Sequence, residues 1–217
     1  MPRIGFVLLA VAALLWAPIA LECSDPAYIS MSIPAVNDLG KGQMVNLTLE
    51  LKHGDGTAYI ATYPIVGGMT QISGTTAIAV ATRMAGYDTN SCDALFKIGI
   101  GELETIDGPS GGAAMTLLIL SALKNESFTK FTITGTIEPN GAIGPVGGVS
   151  EKALAVSDAG ITLFIMPIQT FEERLILEAV SKKTGLAFFQ VTNISQAEEV
   201  ALGILTNSSN PPLLAEP

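Results

Sequence analysis

Ser110 stands in the run Asp107-Gly108-Pro109-Ser110-Gly111-Gly112-Ala113-Ala114-Met115, where a Gly-Pro turn meets an apolar segment of helical character. A serine at a helix start lies where unpaired backbone N–H groups and the positive end of the helix dipole converge. Such a place stabilises a developing oxyanion and suits a nucleophile. It equally suits an N-cap serine that does no chemistry. The distinction turns on a neighbour able to take the hydroxyl proton. The chain has one histidine, His53, beside the turn Gly54-Asp55-Gly56, with no evident route to Ser110. The remaining common base is a lysine of lowered pKa. Lys152, in Val149-Ser150-Glu151-Lys152-Ala153-Leu154-Ala155, is the candidate. With Ser150 as N-cap, Lys152 falls in a helix's first turn. There the positive helix end and burial among apolar neighbours both disfavour an ammonium. The alternative for Lys152 is a solvated surface position.

Composition removes other chemistries. One histidine and two cysteines, Cys23 and Cys92, exclude a multi-histidine metal site and a four-cysteine zinc site within one chain. No metal or cofactor is expected. A net charge of −9 and sparse aromatics argue against a nucleic-acid surface. An apolar content of 48% is ample for a core.

The chain opens with Met1-Pro2-Arg3 and an uncharged apolar run of 18 residues, Ile4 to Leu21. As a helix the run would span about 27 Å, close to a bilayer core. Residues 1–22 therefore read as a signal peptide or transmembrane anchor. Poor small-residue cleavage patterns favour the anchor. Arg3 before the run, with Glu22 and Asp25 after it, places the bulk of the chain outside the cytoplasm. Asn-x-Ser/Thr sequons at Asn46, Asn125, Asn193 and Asn207 agree with that side of the membrane. A Cys23–Cys92 disulfide is permitted there, though the sequence does not establish it.

The elements that must position Ser110 and Lys152 read as a mixed α/β (α+β) domain over residues 41–205. Residues 23–40, with Pro26 and Pro34, read as a linker, and 206–217 as a disordered tail. Val45, Leu47, Leu49 and Leu51 alternate as in a half-buried strand. Gly54-Asp55-Gly56 predicts a hairpin into Thr57–Pro64. Ile65–Thr75 reads as loop and edge strand, Thr76–Gly86 as a helix, and Phe96–Leu103 as a strand. Ser110–Lys124 reads as a long apolar helix whose small first-turn residues would admit another backbone. Strands over Phe128–Ile137, Ile161–Met166 and Leu186–Val191 alternate with helices from Ser150 to Ala159, over Phe171–Thr184 and over Ser195–Leu205.

These stretches resemble a known family. Asp107-Gly108-Pro109-Ser110-Gly111-Gly112 is similar to the Asp-Gly-Pro-Ser-Ala-Gly motif of the Lon protease proteolytic domain. Ile133-Thr134-Gly135-Thr136-Ile137 resembles its Thr-Gly-Glu-Ile strand. Ile143 to Lys152 resembles its Pro-Ile-Gly-Gly-x-x-Glu-Lys segment, and Ala159-Gly160-Ile161 through Met166-Pro167 its Ala-Gly-Ile…Leu-Pro strand. Lys152 follows Ser110 by 42 residues, a gap in keeping with the family.

The resemblance implies a Lon proteolytic-domain-like fold, of the ribosomal protein S5 domain 2-like type, after one N-terminal hydrophobic helix. It implies a Ser–Lys dyad peptidase with Ser110 as nucleophile and Lys152 as general base and then acid. Thr134 would hydrogen-bond near the lysine, and Asp107 would neighbour the site. Backbone N–H groups around Ser110 would form the oxyanion hole. An Oγ–Nζ separation of about 2.6–3.2 Å would mark the dyad, with apo geometry looser. The implied substrate is a peptide or unfolded segment, added as a strand to a sheet edge. Lon domains form hexameric rings, so a homo-oligomer is admitted.

The departures are Thr105-Ile106 for the family's Pro-Lys, Gly111 for alanine, and Thr136 for glutamate. No Gly-x4-Gly-Lys-Ser/Thr loop is present, so an ATP-independent relative at or beyond the membrane is expected. The main alternative is a catalytically inactive Lon-like scaffold or binding domain at the membrane. A small-molecule kinase of the same superfamily and an adhesive surface domain are further rivals.

Overall fold

The computed structural model describes residues 21, 23, 26–61, 65–99, 105–128 and 130–204. The expected N-terminal hydrophobic helix and C-terminal tail lie outside the described residues. Among the described residues, no helix is long and apolar enough to cross a membrane.

A four-stranded sheet forms one layer. Its strands are β1 (Ala27–Val36), β2 (Gly42–His53), β5 (Cys92–Gly99) and β3 (Ala58–Ile60), in that spatial order. β1–β2 and β2–β5 pair antiparallel, while β3 runs parallel to β5. The alternation expected in β2 holds: Val45, Leu47, Leu49 and Leu51 are all buried. Against this face pack α1 (Gly68–Ala85) and α2 (Gly112–Lys124). α2 is buried from Gly112 to Ser121, which explains its lack of a polar face. A three-stranded parallel sheet, in the order β11 (Ala187–Val191), β10 (Leu163–Pro167), β7 (Thr132–Ile133), forms another layer. α3 (Val149–Asp158) and α4 (Phe171–Thr184) join it through a second core of Val149, Val156, Phe164, Met166, Leu177 and Phe188. α5 (Ile194–Ala201) closes the described chain, capped by Asn193 Oδ1. Two short pairs complete the fold: β4 (Ile65–Val66) with β6 (Thr105–Ile106), and β8 (Thr136–Ile137) with β9 (Ile143–Gly144).

Three expectations need correction. The linker over 23–40 is replaced by β1, paired along its length with β2 from Ala27↔Leu51 to Val36↔Gly42. Pro34 is compatible because β1 is an edge strand, where a missing N–H costs no central ladder bond. The hairpin expected at Gly54-Asp55-Gly56 is a crossover: β2 and β3 flank β5 on opposite sides. The Asp93 carboxylate holds that turn by accepting the N–H groups of Asp55 and Thr57, both at 2.9 Å. Finally, helix α1 begins at Gly68, within the stretch read as loop. Its glycines and β-branched residues hid the start, while the glycine stop at Gly86 (φ 76°) is as expected.

Cys23 and Cys92 form a disulfide that fastens the segment before β1 to the start of β5.

Candidate active site

The serine turn is built onto the start of α1. β6 pairs with β4 and delivers the chain to Asp107. Asp107 Oδ1 accepts the Met69 N–H at 3.1 Å, in the first turn of α1, so its carboxylate caps a helix distant in sequence. The fit requires Gly67, where an added Cβ would lie 2.1 Å from Asp107 Cγ. Thr70 Oγ1 donates to the Gly108 carbonyl at 3.1 Å and accepts the Gly108 N–H at 3.2 Å. Gly108 (φ 158°) turns the chain, and residues Pro109–Gly111 form a single 3₁₀ turn before α2.

Ser110 is thereby fixed at the mouth of α2, on the side facing β8 and β9. Its carbonyl accepts the Gly135 N–H at 3.0 Å, and the Gly135 carbonyl accepts the Ala113 N–H at 3.1 Å. Gly112 permits this approach, since a Cβ there would lie 2.6 Å from Ile137 Cγ2 and 3.1 Å from Ile137 N. The small first-turn residues therefore admit a neighbouring backbone, as expected.

Lys152 enters from α3. The N-cap of α3 is Gly148 (φ 66°) rather than Ser150, which lies inside the first turn. Only a residue comfortable in the left-handed region turns the Pro145–Gly148 loop into the helix here. Lys152 still lies in that first turn, its N–H bonded to the Gly148 carbonyl at 3.0 Å. Gly42 of β2 lies flush against this turn, where a Cβ would sit 2.0 Å from the Glu151 carbonyl oxygen. Lys152 is 3% exposed, and burial pushes its ammonium down to about 8 from 10.5. Desolvation accounts for the shift without the helix dipole.

Thr134 connects the two elements. Lys152 Nζ donates to Thr134 Oγ1 at 3.2 Å, and Thr134 Oγ1 donates to the Ser110 carbonyl at 3.3 Å. The threonine proton is committed to that carbonyl, so its oxygen meets the lysine as an acceptor. Among the described residues, no hydrogen bond joins Ser110 Oγ directly to Lys152 Nζ.

Ser110, Lys152 and Asp107 line one cleft of about 560 Å³. Its walls include Ile33 and Val36 of β1, Val45 of β2, Ile98 of β5 and Met115 of α2. His53 is exposed at the end of β2 and does not line the cleft. Among the described residues, no cluster of acidic, histidine or cysteine side chains could hold a metal ion.

The two nearest departures from the motif are sterically benign. An added Cβ at Gly111 would meet nothing closer than Ile33 Cδ1 at 3.8 Å, so alanine and glycine both fit. Thr136 Oγ1 accepts the Gly144 N–H at 3.1 Å and thereby pins the loop that leads to Lys152.

Sequence reading missed Thr70 and Ser73, which sit on one face of α1 toward the serine turn. Ser73 Oγ donates to the Met69 carbonyl at 3.0 Å and reaches the Pro109 carbonyl at 3.5 Å. Both hydroxyls are buried, and no local sequence pattern marks them.

Residues 92–204, just over half of the chain, match the family model of the Lon protease (S16) C-terminal proteolytic domain. Similar curated proteins include a Lon protease of Buchnera aphidicola subsp. Schizaphis graminum, 35% identical over 99 residues. A Lon protease of Helicobacter pylori (strain J99) is 31% identical over 97 residues, and Lon protease 1 of Bacillus subtilis (strain 168) 33% identical over 99. Each alignment covers 44% of this chain and 12% of the relative, so the chain corresponds to a small part of those proteins.

Proposed function

The chain belongs to the Lon protease (S16) C-terminal proteolytic domain family, and we propose that it is a serine endopeptidase working through Ser110 and Lys152. The observation that carries this reading is a buried lysine of depressed pKa, tied through one threonine to the serine turn.

The chemistry follows from the protonation states. Neutral Lys152 keeps an N–H directed at Thr134 and turns its lone pair to the Ser110 hydroxyl. Ser110 Oγ attacks the peptide carbonyl carbon while its proton passes to Nζ. The amides of Ser110 and Gly111 stabilise the oxyanion that forms. As the C–N bond breaks, the Lys152 ammonium returns the proton to the leaving amine. Water then repeats the sequence on the acyl-enzyme. Asp107 acts at a remove, by fixing the serine turn to α1. We read the fold as the ribosomal protein S5 domain 2-like type, supported by the two sheets packed around α2.

The substrate in this reading is an unfolded or flexible polypeptide, laid extended in the apolar cleft. In this reading the proteolytic domain itself cleaves such segments without nucleotide. An extracytoplasmic, membrane-anchored or secreted location is supported by the apolar run Ile4–Leu21 and by the Cys23–Cys92 disulfide, which suits an oxidising compartment. Assembly as a homo-oligomer is compatible with the family. The inactive-scaffold alternative is favoured by one observation, the missing direct Ser110–Lys152 hydrogen bond.

Hydrolysis of casein or a peptide library without ATP, by wild type, Ser110→Ala and Lys152→Ala, tests the proposal. Activity in wild type alone supports it. Equal activity in all three removes the dyad, and an inert wild type supports the scaffold.

A further inference from the structure

The walls of the cleft carry a charge asymmetry that bears on substrate choice. Among the described residues, three charged side chains line it: Lys152, Asp107 and Asp38. Lys152 is buried and committed to the site. Asp107 spends Oδ1 on the Met69 N–H. Asp38 is exposed and makes no hydrogen bond or ion pair among the described residues.

The turn that presents Asp38 is well defined. It joins β1 to β2, and Asn37 Oδ1 accepts the N–H groups of Leu39 at 3.1 Å and Lys41 at 2.9 Å. The Asn37 carbonyl accepts the Gly40 N–H at 2.8 Å, and Gly40 adopts φ 73°. Asp38 is thus held at the rim, two residues beyond Val36 of the apolar wall. Lys41, in the same turn, does not line the cleft. A further carboxylate adds to the same sign: Glu151 Oε2 lies 3.6 Å from where a Cβ on the cleft-lining Gly148 would sit. Above about pH 8, where Lys152 is the neutral base, the charged groups among the described lining residues are all negative. The chain's net charge of −9 reinforces that field at longer range.

Resting on the peptidase reading above, we propose that Asp38 is a specificity-determining residue that selects peptide segments bearing a basic side chain beside the apolar residue held in the cleft, and disfavours acidic ones. An exposed carboxylate exerts a modest, salt-sensitive pull. The discrimination is therefore a matter of several-fold, set mainly in binding.

The test uses Ser110→Ala, so that binding is read without turnover. Short fluorescent peptides identical except for one Lys, Gln or Glu next to a fixed leucine are titrated by anisotropy at about pH 9, where Lys152 is neutral and the peptide lysine is charged. The Lys peptide should bind about 3- to 10-fold more tightly than the Glu peptide at low salt, with Gln between them. Adding Asp38→Asn should shrink that ratio, Asp38→Lys should invert it, and high salt should flatten it. Equal binding of the three peptides, or a ratio unchanged by Asp38→Asn and Asp38→Lys, would overturn the proposal. Wild-type protein that shows this preference but hydrolyses nothing would instead count against the Ser110–Lys152 reading and leave Asp38 standing.

Discussion

Lys152 and Thr134 form a buried hydrogen bond, with Nζ donating to Oγ1 at 3.2 Å. The geometry fixes which way each group can work. Thr134 gives its own proton to the Ser110 carbonyl, so it can only accept from the lysine. It thereby holds Nζ in place without competing for the lone pair that a general base needs. Both residues are almost fully buried, at 3% and 1% exposure, so this orientation is not shared with bulk water.

The pH profile is the first consequence. Burial places the Lys152 pKa at about 8, and only the neutral amine takes the serine proton. The rate of peptide hydrolysis should rise through a single limb near pH 8 and level off above it. Lys152→Arg should abolish the activity at every pH, because a guanidinium does not deprotonate in this range. A stopped assay across pH 6 to about 10 checks both.

Thr134→Val removes the acceptor that stabilises the ammonium. The Lys152 pKa should fall further, and the limb should move to lower pH. kcat should drop about 10- to 100-fold through loss of Nζ positioning, as for a hydrogen bond to a charged group. Thr134→Ser should keep both the limb and most of the rate. A merely structural threonine would lower stability without moving the limb.

Lys152 also carries a stability signature. Below about pH 8 it is protonated folded and unfolded, and burying the ammonium is unfavourable. Between about 8 and 10.5 the unfolded chain binds more protons, so stability from this group rises with pH. Lys152→Met should therefore stabilise the protein near neutral pH, by up to about 3 kcal/mol, while abolishing activity. It should also remove that rise, as denaturant melts at pH 7 and 9.5 would show.

Asp107→Ala should cost about 1 kcal/mol through the lost cap on α1. It should also lower kcat, because the serine turn loses an anchor, with KM little changed. Asp107→Asn, which keeps an acceptor oxygen, should restore most of both. Thermal melts and steady-state kinetics on the two variants separate this capping role from a charge role at the dyad.

The disulfide closes a sequence separation of 69 residues. The chain-entropy account gives about 4 kcal/mol for a loop of that length. Cys23→Ser with Cys92→Ser should lower Tm in step with that loss, and a reductant should lower the Tm of wild type alone.

What the sequence revealed and what it hid divide on physical lines. The placement of Ser110 before α2 and of Lys152 in the first turn of α3 was legible because both signals are local: a Gly-Pro turn before an apolar run, and a lysine among apolar residues at a helix start. β2 was legible because one buried face leaves an unmixed alternation, from Val45 to Leu51. β1 was not, because a partly exposed edge strand carrying Pro34 has the composition of a linker. The start of α1 was hidden by Gly67-Gly68, yet Gly67 is what admits Asp107 against the helix start. Thr70, Ser73 and the wall formed by β1 belong to the site only through long-range packing, which no local pattern records. The pairing of Cys23 with Cys92 was open for the same reason.

The most direct measurement is covalent modification of Ser110 by a fluorophosphonate, followed by intact mass and peptide mapping. A nucleophile activated by Lys152 should give one adduct on Ser110, with a rate rising through pH 8, and Lys152→Ala should slow it about 100-fold or more. No adduct on Ser110 in wild type, or labelling at the same rate in Lys152→Ala, would contradict the account.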